Sequence, residues 1–215
     1  MREVTGLTTR KNRRHQRNIR VGFLLVCLLV GGIFLARPPA IEEEDALMAG
    51  DVPIDVQLLT VNPYSRPGTK TDGIKGIVIH YTANPMSTAQ NNRDYFESLK
   101  TSQDNRVSSN FVVGLDGEII QCVPTWEVAY ASNNRNHDTI SIEVCHPDAT
   151  GKFNRKTYQS LVKLTAMLCK KYHLSQNDVI RHYDVTGKNC PKYFVEHPKA
   201  WQAFKEDVGR EIARE

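Results

Sequence analysis

The sequence predicts an α/β protein with a single mixed β-sheet flanked by helices, preceded by an N-terminal transmembrane helix. Three observations lead to this expectation. Short apolar or alternating runs, typical of strands, are interspersed with longer amphipathic runs, typical of helices. The pair Asp116-Gly117 stands between two strand-like runs and predicts a β-hairpin. Sixteen consecutive uncharged, mostly apolar residues at 21–36, framed by arginines, indicate a membrane span.

The first 36 residues have the composition of a membrane anchor. Residues 1–20 hold seven Lys or Arg and one Glu, a balance of +6 within a net charge of +4, which leaves −2 for the remainder. As a helix, 21–36 would be about 24 Å long, and the flanking arginines can extend to the interfaces of a ~30 Å hydrocarbon core. The basic arm predicts a cytoplasmic N-terminus with the remainder outside the cell membrane, so no nucleic-acid partner is expected. Secretion after cleavage at Ala36 or Ala40 is the alternative, although the small-x-small pattern is poor there.

Residues 37–72 predict an extracytoplasmic tether. Its prolines and Gly68 interrupt any regular periodicity, and only Val56–Leu59 offers apolar contacts to a neighbouring domain. The remaining residues, 73–215, predict one domain. Its elements in order are a strand at 76–81, a helix to about Lys100, hairpin strands at 110–115 and 118–123, a strand at 139–144, a helix at 157–172, a short strand at 179–180 and a helix at 198–213.

The buried sides of the helices follow from their apolar spacing. The expected buried residues are Tyr95, Phe96 and Leu99 in the first helix, Leu161, Leu164, Leu168 and Tyr172 in the second, and Trp201, Phe204, Val208 and Ile212 in the last. Cysteines stand at 27, 122, 145, 169 and 190 without a CxxC pair. Cys122 and Cys145 end two predicted strands, so a disulfide between them would require those strands to be neighbours.

A loop near the end of the chain concentrates residues that bind metals. The segment 180–191 carries His182, Lys188 and Cys190 directly after the apolar pair Val179-Ile180. A neutral imidazole and a thiolate suit a borderline-soft ion such as zinc. A third ligand must come from elsewhere, and the best candidate is His80, which ends the apolar run Gly-Ile-Val-Ile-His. A hydrogen-bonded His at a strand end and a small buried Cys are the structural alternatives.

Three sequence blocks together resemble the zinc-dependent N-acetylmuramoyl-L-alanine amidases. They are Gly-Ile-Val-Ile-His80-Tyr-Thr-Ala, Asp138-Thr-Ile-Ser-Ile-Glu143, and Arg181-His182-Tyr-Asp-Val-Thr-Gly-Lys188-Asn-Cys190-Pro191. That family includes phage lysozyme-type amidases, Bacillus-type endolysins and animal peptidoglycan recognition proteins. The likeness covers roughly residues 73–205 and implies that His80, His182 and Cys190 hold one Zn²⁺ per chain.

The resemblance also implies roles for residues around the ion. Glu143 matches a catalytic Glu of the endolysins and would carry protons. Lys188 matches a functional Lys of the phage branch and would stabilise developing negative charge. His137 matches a substrate-side position, and Asn110 and Trp126 are further candidates for substrate binding. The phage branch has a Tyr before the strand at 110–115, where this chain has Ser108-Ser109, so Glu143 would do the proton work alone.

The expected function is therefore hydrolysis of the amide between N-acetylmuramic acid and L-alanine in peptidoglycan. The resemblance, rather than the residue spacing, selects this amide. One alternative is a binding module of the same fold, which keeps the wall contact but lacks the ligand cysteine. The others are a cysteine peptidase, for which the order of Cys190 and the histidines is reversed, and a structural membrane protein.

Overall fold

A computed structural model describes residues 47–214, and these residues form a mixed β-sheet with helices on both faces. The strands are β1 (Met48–Ala49), β2 (Val52–Val56), β3 (Gly76–Ile79), β4 (Phe111–Val113), β5 (Ile119–Gln121), β6 (Thr139–Val144) and β7 (Val179–Arg181). The helices are α1 (Ala89–Ser102), α2 (Arg155–Tyr172), α3 (His182–Thr186), α4 (Lys192–Glu196) and α5 (Pro198–Ile212). The expected mixed α/β sheet is confirmed.

The arm at 1–20, the membrane span at 21–36 and the start of the tether lie outside the described residues. Within 47–214, every helix is too short or too polar to cross a membrane.

The sheet order is β1-β2-β5-β4-β6-β3-β7. Strand β3 lies between β6 and β7 and is parallel to both. Strand β4 is parallel to β6 and antiparallel to β5. Ile77, Val78 and Ile79 are fully buried because side chains on both faces of β3 meet other elements, which explains the unbroken apolar run. The parallel centre brings the ends of β3, β6 and β7 to one edge of the sheet.

The predicted hairpin connects β4 to β5. The backbone N–H of Gly114 donates to the carbonyl of Glu118 at 2.8 Å. Gly117 has a φ of +86°, and a Cβ there would lie 2.8 Å from Oγ of Ser160. Both the turn and the packed helix α2 therefore require glycine at this position.

Two apolar clusters cover the faces of the sheet. The larger one joins β3, β4 and β6 to α2 and α5 through Leu161, Leu164, Leu168, Trp201, Phe204 and Val208. The smaller one includes Phe96 of α1 together with Val112 and Ile120. The expected burial of Tyr95 is wrong, because its side chain is 46 % exposed and its hydroxyl lies 3.4 Å from the amide of Asn105.

The sheet begins earlier in the chain than the domain start expected at residue 73. Strand β2 is parallel to β5, Ile54 and Leu59 are buried, and Arg66 forms a 2.7 Å ion pair with Glu127. Residues 47–72 therefore pack as part of the domain, and a tether extending to residue 72 is wrong for them. Pro53 obscured the strand, because a proline usually interrupts strand pairing. It is tolerated here because it pairs only with the two-residue β1 near the edge of the sheet.

Cys122 and Cys145 are both free thiols. Their strands are not neighbours, because β4 lies between β5 and β6. The backbone N–H of Cys122 donates to Asn110 and that of Cys145 to Val113, at opposite ends of β4. The two cysteines are separated by two strand spacings of about 4.8 Å across the sheet and by three residues, at a rise of about 3.3 Å each, along β4. This exceeds the ~7 Å between Cα atoms that a disulfide tolerates.

Candidate metal centre

Two parallel strands place the histidines side by side. His80 follows β3 directly, and His182 follows β7 directly. Ile79 and Arg181 are paired in the register of these strands, so the next residue of each strand reaches the same edge. Cys190 lies on the loop between α3 and α4, where its carbonyl accepts a hydrogen bond from the backbone N–H of Tyr183 at 2.9 Å. The three residues, here called the metal-ligand cluster, come together as predicted.

The donor atoms of the cluster are close and shielded from water. Nδ1 of His80 lies 3.1 Å from Nδ1 of His182 and 3.8 Å from Sγ of Cys190. Ligands of a tetrahedral zinc would be about 3.3 Å apart for two nitrogens and about 3.6 Å apart for nitrogen and sulfur. His80, His182 and Cys190 are only 2 %, 7 % and 2 % exposed. The arrangement therefore fits a metal ion of that size.

The protonation of the cluster also suits a cation. Burial, with His182 and Lys188 nearby, holds the pKa of His80 well below its usual value. Burial followed by Lys188 likewise lowers the pKa of His182, so both imidazoles are neutral. Burial and then Glu143 raise the pKa of the Cys190 thiol to about 12, against the opposing effects of the Tyr81 backbone N–H and Lys188. A metal cation would offset this cost by stabilising the thiolate.

Glu143 faces the same cavity from β6. Its Oε2 is excluded from solvent and has no hydrogen-bond partner. Burial raises the pKa of this carboxyl to about 8, although Lys188 opposes the shift. A carboxyl with a pKa near neutrality can both accept and donate a proton. Glu143 is therefore not a freely solvated carboxylate at a strand edge.

The cavity beside the cluster has a volume of about 330 Å³ and also exposes Lys188, Arg106, Tyr130 and Asn136. Lys188 lies on the α3–α4 loop with an exposed side chain. Its positive charge influences the pKa values of His80, His182, Glu143 and Cys190. The cavity thus combines two cationic side chains, Lys188 and Arg106, with one carboxyl, that of Glu143. Burial disfavours the ionised form of this carboxyl.

Asn110 lies outside the cavity in a closed set of hydrogen bonds, here called the Asn110 network. Its Nδ2 donates to the carbonyls of Pro124 at 3.1 Å and Glu127 at 3.3 Å. Its Oδ1 accepts from the backbone N–H of Ser141 at 3.0 Å. Both polar atoms of the side chain have protein partners and the residue is buried, so Asn110 joins β4, β6 and the loop after β5.

The structure does not bring His137 or Trp126 to the cavity either. His137 is exposed and precedes β6, at the end of the strand away from Glu143, where its carbonyl accepts a hydrogen bond from Asp72. Trp126 is 59 % exposed on the loop after β5, where its carbonyl accepts from the backbone N–H of Thr71.

Sequence reasoning missed two residues that contact the ligands directly. Oγ of Ser132 lies 3.1 Å from Nε2 of His80, and Oδ1 of Asn133 lies 3.0 Å from Nε2 of His182. Ser132 precedes and Asn133 begins a 3-10 turn at Asn133–Arg135, within an asparagine-rich loop. That richness in asparagine was the only available signal, and it does not indicate which side chain turns inward.

Comparisons with known proteins identify the family of this chain. The family model for N-acetylmuramoyl-L-alanine amidase matches residues 69–193. N-acetylmuramoyl-L-alanine amidase CwlL of Bacillus licheniformis is 38 % identical over 160 residues, which cover 69 % of this chain and 44 % of the relative. N-acetylmuramoyl-L-alanine amidase BlyA of Bacillus subtilis is 33 % identical over 171 residues, 70 % of this chain and 45 % of the relative. The chain thus spans less than half the length of these curated relatives.

Solved structures show the same fold. PlyL has a TM-score of 0.63 and 26 % identity, and the match covers 74 % of this chain and 98 % of PlyL. The catalytic domain of XlyA has a TM-score of 0.63 and 27 % identity, with 74 % and 100 % coverage. Because the family model covers more than half of the 215 residues, this chain belongs to the N-acetylmuramoyl-L-alanine amidase family.

Proposed function

We propose that the chain hydrolyses the amide bond between N-acetylmuramic acid and L-alanine in bacterial peptidoglycan. The observation that carries the proposal is the metal-ligand cluster, in which two neutral imidazoles and a thiol meet beside Glu143 in one cavity. Family membership supports the choice of this amide. The intact ligand cysteine favours an enzyme over a binding module of the same fold.

His80, His182 and Cys190 would hold one Zn²⁺, and three protein ligands are the usual number in a catalytic rather than a structural zinc site. When bound, zinc would supply Lewis acidity towards the carbonyl of the scissile amide. The buried setting of the three side chains excludes competing water and keeps their donor atoms converging.

Glu143 carries the protons of the reaction. Its carboxylate takes a proton from the attacking water, and the resulting acid gives it to the nitrogen of the departing L-alanine. The unpartnered Oε2 is free to form these transient hydrogen bonds. No tyrosine is needed for this role, and Ser108 and Ser109 are buried within the protein.

Lys188 and Arg106 provide the positive charge of the cavity. Lys188 stabilises the negative charge that develops on the amide oxygen. Arg106 is suited to a carboxylate of the stem peptide, because a guanidinium binds carboxylates through paired hydrogen bonds. The cavity therefore favours a substrate that carries negative charge next to the scissile amide.

Digestion of purified peptidoglycan by the full chain tests the proposal. The expected products carry free L-alanine amino termini, with no rise in reducing sugar. New reducing ends would indicate a glycosidase, and other amino termini would indicate a peptidase. Full activity after exhaustive chelation would contradict the zinc assignment.

We also propose that the chain is anchored in the cell membrane, with residues 47–214 outside. The apolar run at 21–36 and the basic arm before it support this arrangement. Protease added to intact protoplasts should remove the extracytoplasmic part and leave the N-terminal arm. A mature protein that begins after Ala36 or Ala40 would instead support secretion.

A further inference from the structure

We propose that Ser132 and Asn133 are positioning residues that orient the imidazoles of His80 and His182 for zinc. The inference deepens the proposed function and rests on it for the identity of the ion. Each ligand imidazole directs Nδ1 into the metal-ligand cluster and Nε2 towards one of these two neighbouring residues. A single loop would therefore set the orientation of ligands that stand 102 positions apart in the chain.

Asn133 determines which nitrogen of His182 carries the proton. Its Oδ1, 3.0 Å from Nε2 of His182, can only accept a hydrogen bond. Nε2 must therefore donate, and in a neutral ring this leaves a free electron pair on Nδ1, the atom that faces His80 and Cys190. Asn133 has a φ of +52°, a left-handed conformation that asparagine tolerates better than most residues.

Ser132 acts on His80 through a hydroxyl that can both accept and donate. Its Oγ lies 3.1 Å from Nε2 of His80 and 2.8 Å from Oγ of Ser141. With a cation on Nδ1 of His80, Nε2–H donates to Ser132, and the Ser132 hydroxyl donates to Ser141. Ser132, Ser141 and His80 are all buried, so water cannot replace a missing partner without a rearrangement.

The loop itself is held in place by side chains that do not touch the ligands. Oδ1 of Asn136 accepts the backbone N–H groups of Ala131 at 3.0 Å and Ser132 at 2.5 Å. Arg135 forms a 2.7 Å ion pair with Asp138. These contacts fix the two acceptors before any ion binds. Hydrogen-bond partners of this kind commonly change metal affinity by about 10–100-fold when they are removed.

The test measures the zinc affinity of the purified full chain by competition with a chromophoric chelator at pH 7. Ser132→Ala and Asn133→Gly should each raise the zinc Kd by about 10–100-fold. Glycine is chosen at 133 because it keeps the positive φ without strain. Asn133→Asp retains an oxygen acceptor and should restore an affinity within a few-fold of the parent. Asn134→Gly, at the exposed next residue of the same turn, is the matched control and should leave the Kd unchanged.

A second readout is independent of metal and of activity. Nitrogen NMR of the metal-free chain should show the His182 proton on Nε2 in the parent and in Asn133→Asp, and a mixture of tautomers in Asn133→Gly. Thermal unfolding identifies any variant that loses its fold, and the comparison then rests on whichever of Ser132→Ala and Asn133→Gly remains folded. Unchanged Kd and unchanged tautomer in folded Ser132→Ala and Asn133→Gly would overturn the proposal.

The outcomes also separate this inference from the proposed function. A parent chain that binds zinc through Cys190 and depends on Ser132 and Asn133, yet releases no L-alanine termini from peptidoglycan, supports the positioning role and contradicts the function. An active parent whose variants keep full zinc affinity does the reverse.

Discussion

The Asn110 network and the metal-ligand cluster lie on either side of β6, and both are buried, yet their polar groups differ in one respect. Around Asn110 each polar atom of the side chain has a partner. In the metal-ligand cluster two Nδ1 atoms face each other, a buried thiol stands beside them, and Oε2 of the adjacent Glu143 has no partner. The first arrangement stabilises the fold, and the second leaves bonding capacity for an ion and a substrate.

Ser141 connects the two regions. Its backbone N–H donates to Asn110, while its Oγ contacts Ser132, which in turn contacts His80. Burial alone therefore does not separate structural from functional polar residues on this sheet. Substitutions in the two regions should distinguish these roles. Changes in the metal-ligand cluster should lower zinc affinity and activity, whereas changes in the Asn110 network should lower the free energy of unfolding.

The largest effect is expected for Cys190→Ser. A neutral hydroxyl is a much weaker zinc ligand than a thiolate. Zinc affinity should therefore fall by more than the ~100-fold expected at most for removing a hydrogen-bond partner of a ligand, and activity should reach background. Zinc titration and peptidoglycan digestion measure the two effects. Cys169→Ser is the matched control, since Cys169 is buried in the larger apolar cluster and does not line the cavity, and it should retain zinc. Equal zinc affinity in both variants would contradict the ligand assignment.

Glu143→Gln should lower kcat by about 10²–10⁴-fold while zinc remains bound.

The same substitution should also change how the stability of the metal-free chain depends on pH. Burial raises the pKa of Glu143 from its ordinary value of 4.5 to about 8, so the folded metal-free chain binds more protons than the unfolded one between these values. Its stability should therefore fall as pH rises from 4.5 to 8, and glutamine should remove that contribution. Urea unfolding of metal-free protein at pH 5 and pH 8 measures it, and parallel pH dependences in parent and variant would refute the buried-acid account.

Asn110→Ala should lower the free energy of unfolding by about 2–3 kcal/mol, because it leaves buried backbone groups unpaired. KM and zinc affinity should stay near those of the parent in conditions where the variant is folded. Urea unfolding and steady-state kinetics provide the comparison. A rise in KM at unchanged stability would return Asn110 to the substrate-binding role expected from the sequence.

The smallest effect is expected at the rim of the cavity. Arg106→Gln should raise KM by a few-fold for a substrate with a free stem carboxylate, because an exposed charge pair contributes about 1 kcal/mol or less. The same change should have no effect on a substrate in which that carboxylate is amidated. His137→Ala, at an exposed residue outside the cavity, serves as the control and should leave both KM values unchanged.

The sequence predicted the features that depend on local pattern or on short matched blocks. The run ending at His80 predicted a buried strand with a ligand at its end, and the blocks containing His182 and Cys190 predicted the other two. The sequence could not show that Asn110 lies outside the cavity, because an asparagine that binds substrate and one that pairs with backbone have the same local pattern. Ser132 and Asn133 were missed because their roles arise from contacts between distant parts of the chain. β2 was missed because Pro53 resembles a strand breaker until its place beside the two-residue β1 is known.

The separation of His80 from His182 along the chain has a consequence for folding. A contact between residues 102 positions apart acts as a cross-link between the ends of β3 and β7, and an ion can complete it only after these strands have paired. Bound metal should therefore contribute little to the folding rate and act mainly by slowing unfolding. The protein would become resistant to proteases in the last step of its maturation, when the ion enters an already assembled sheet.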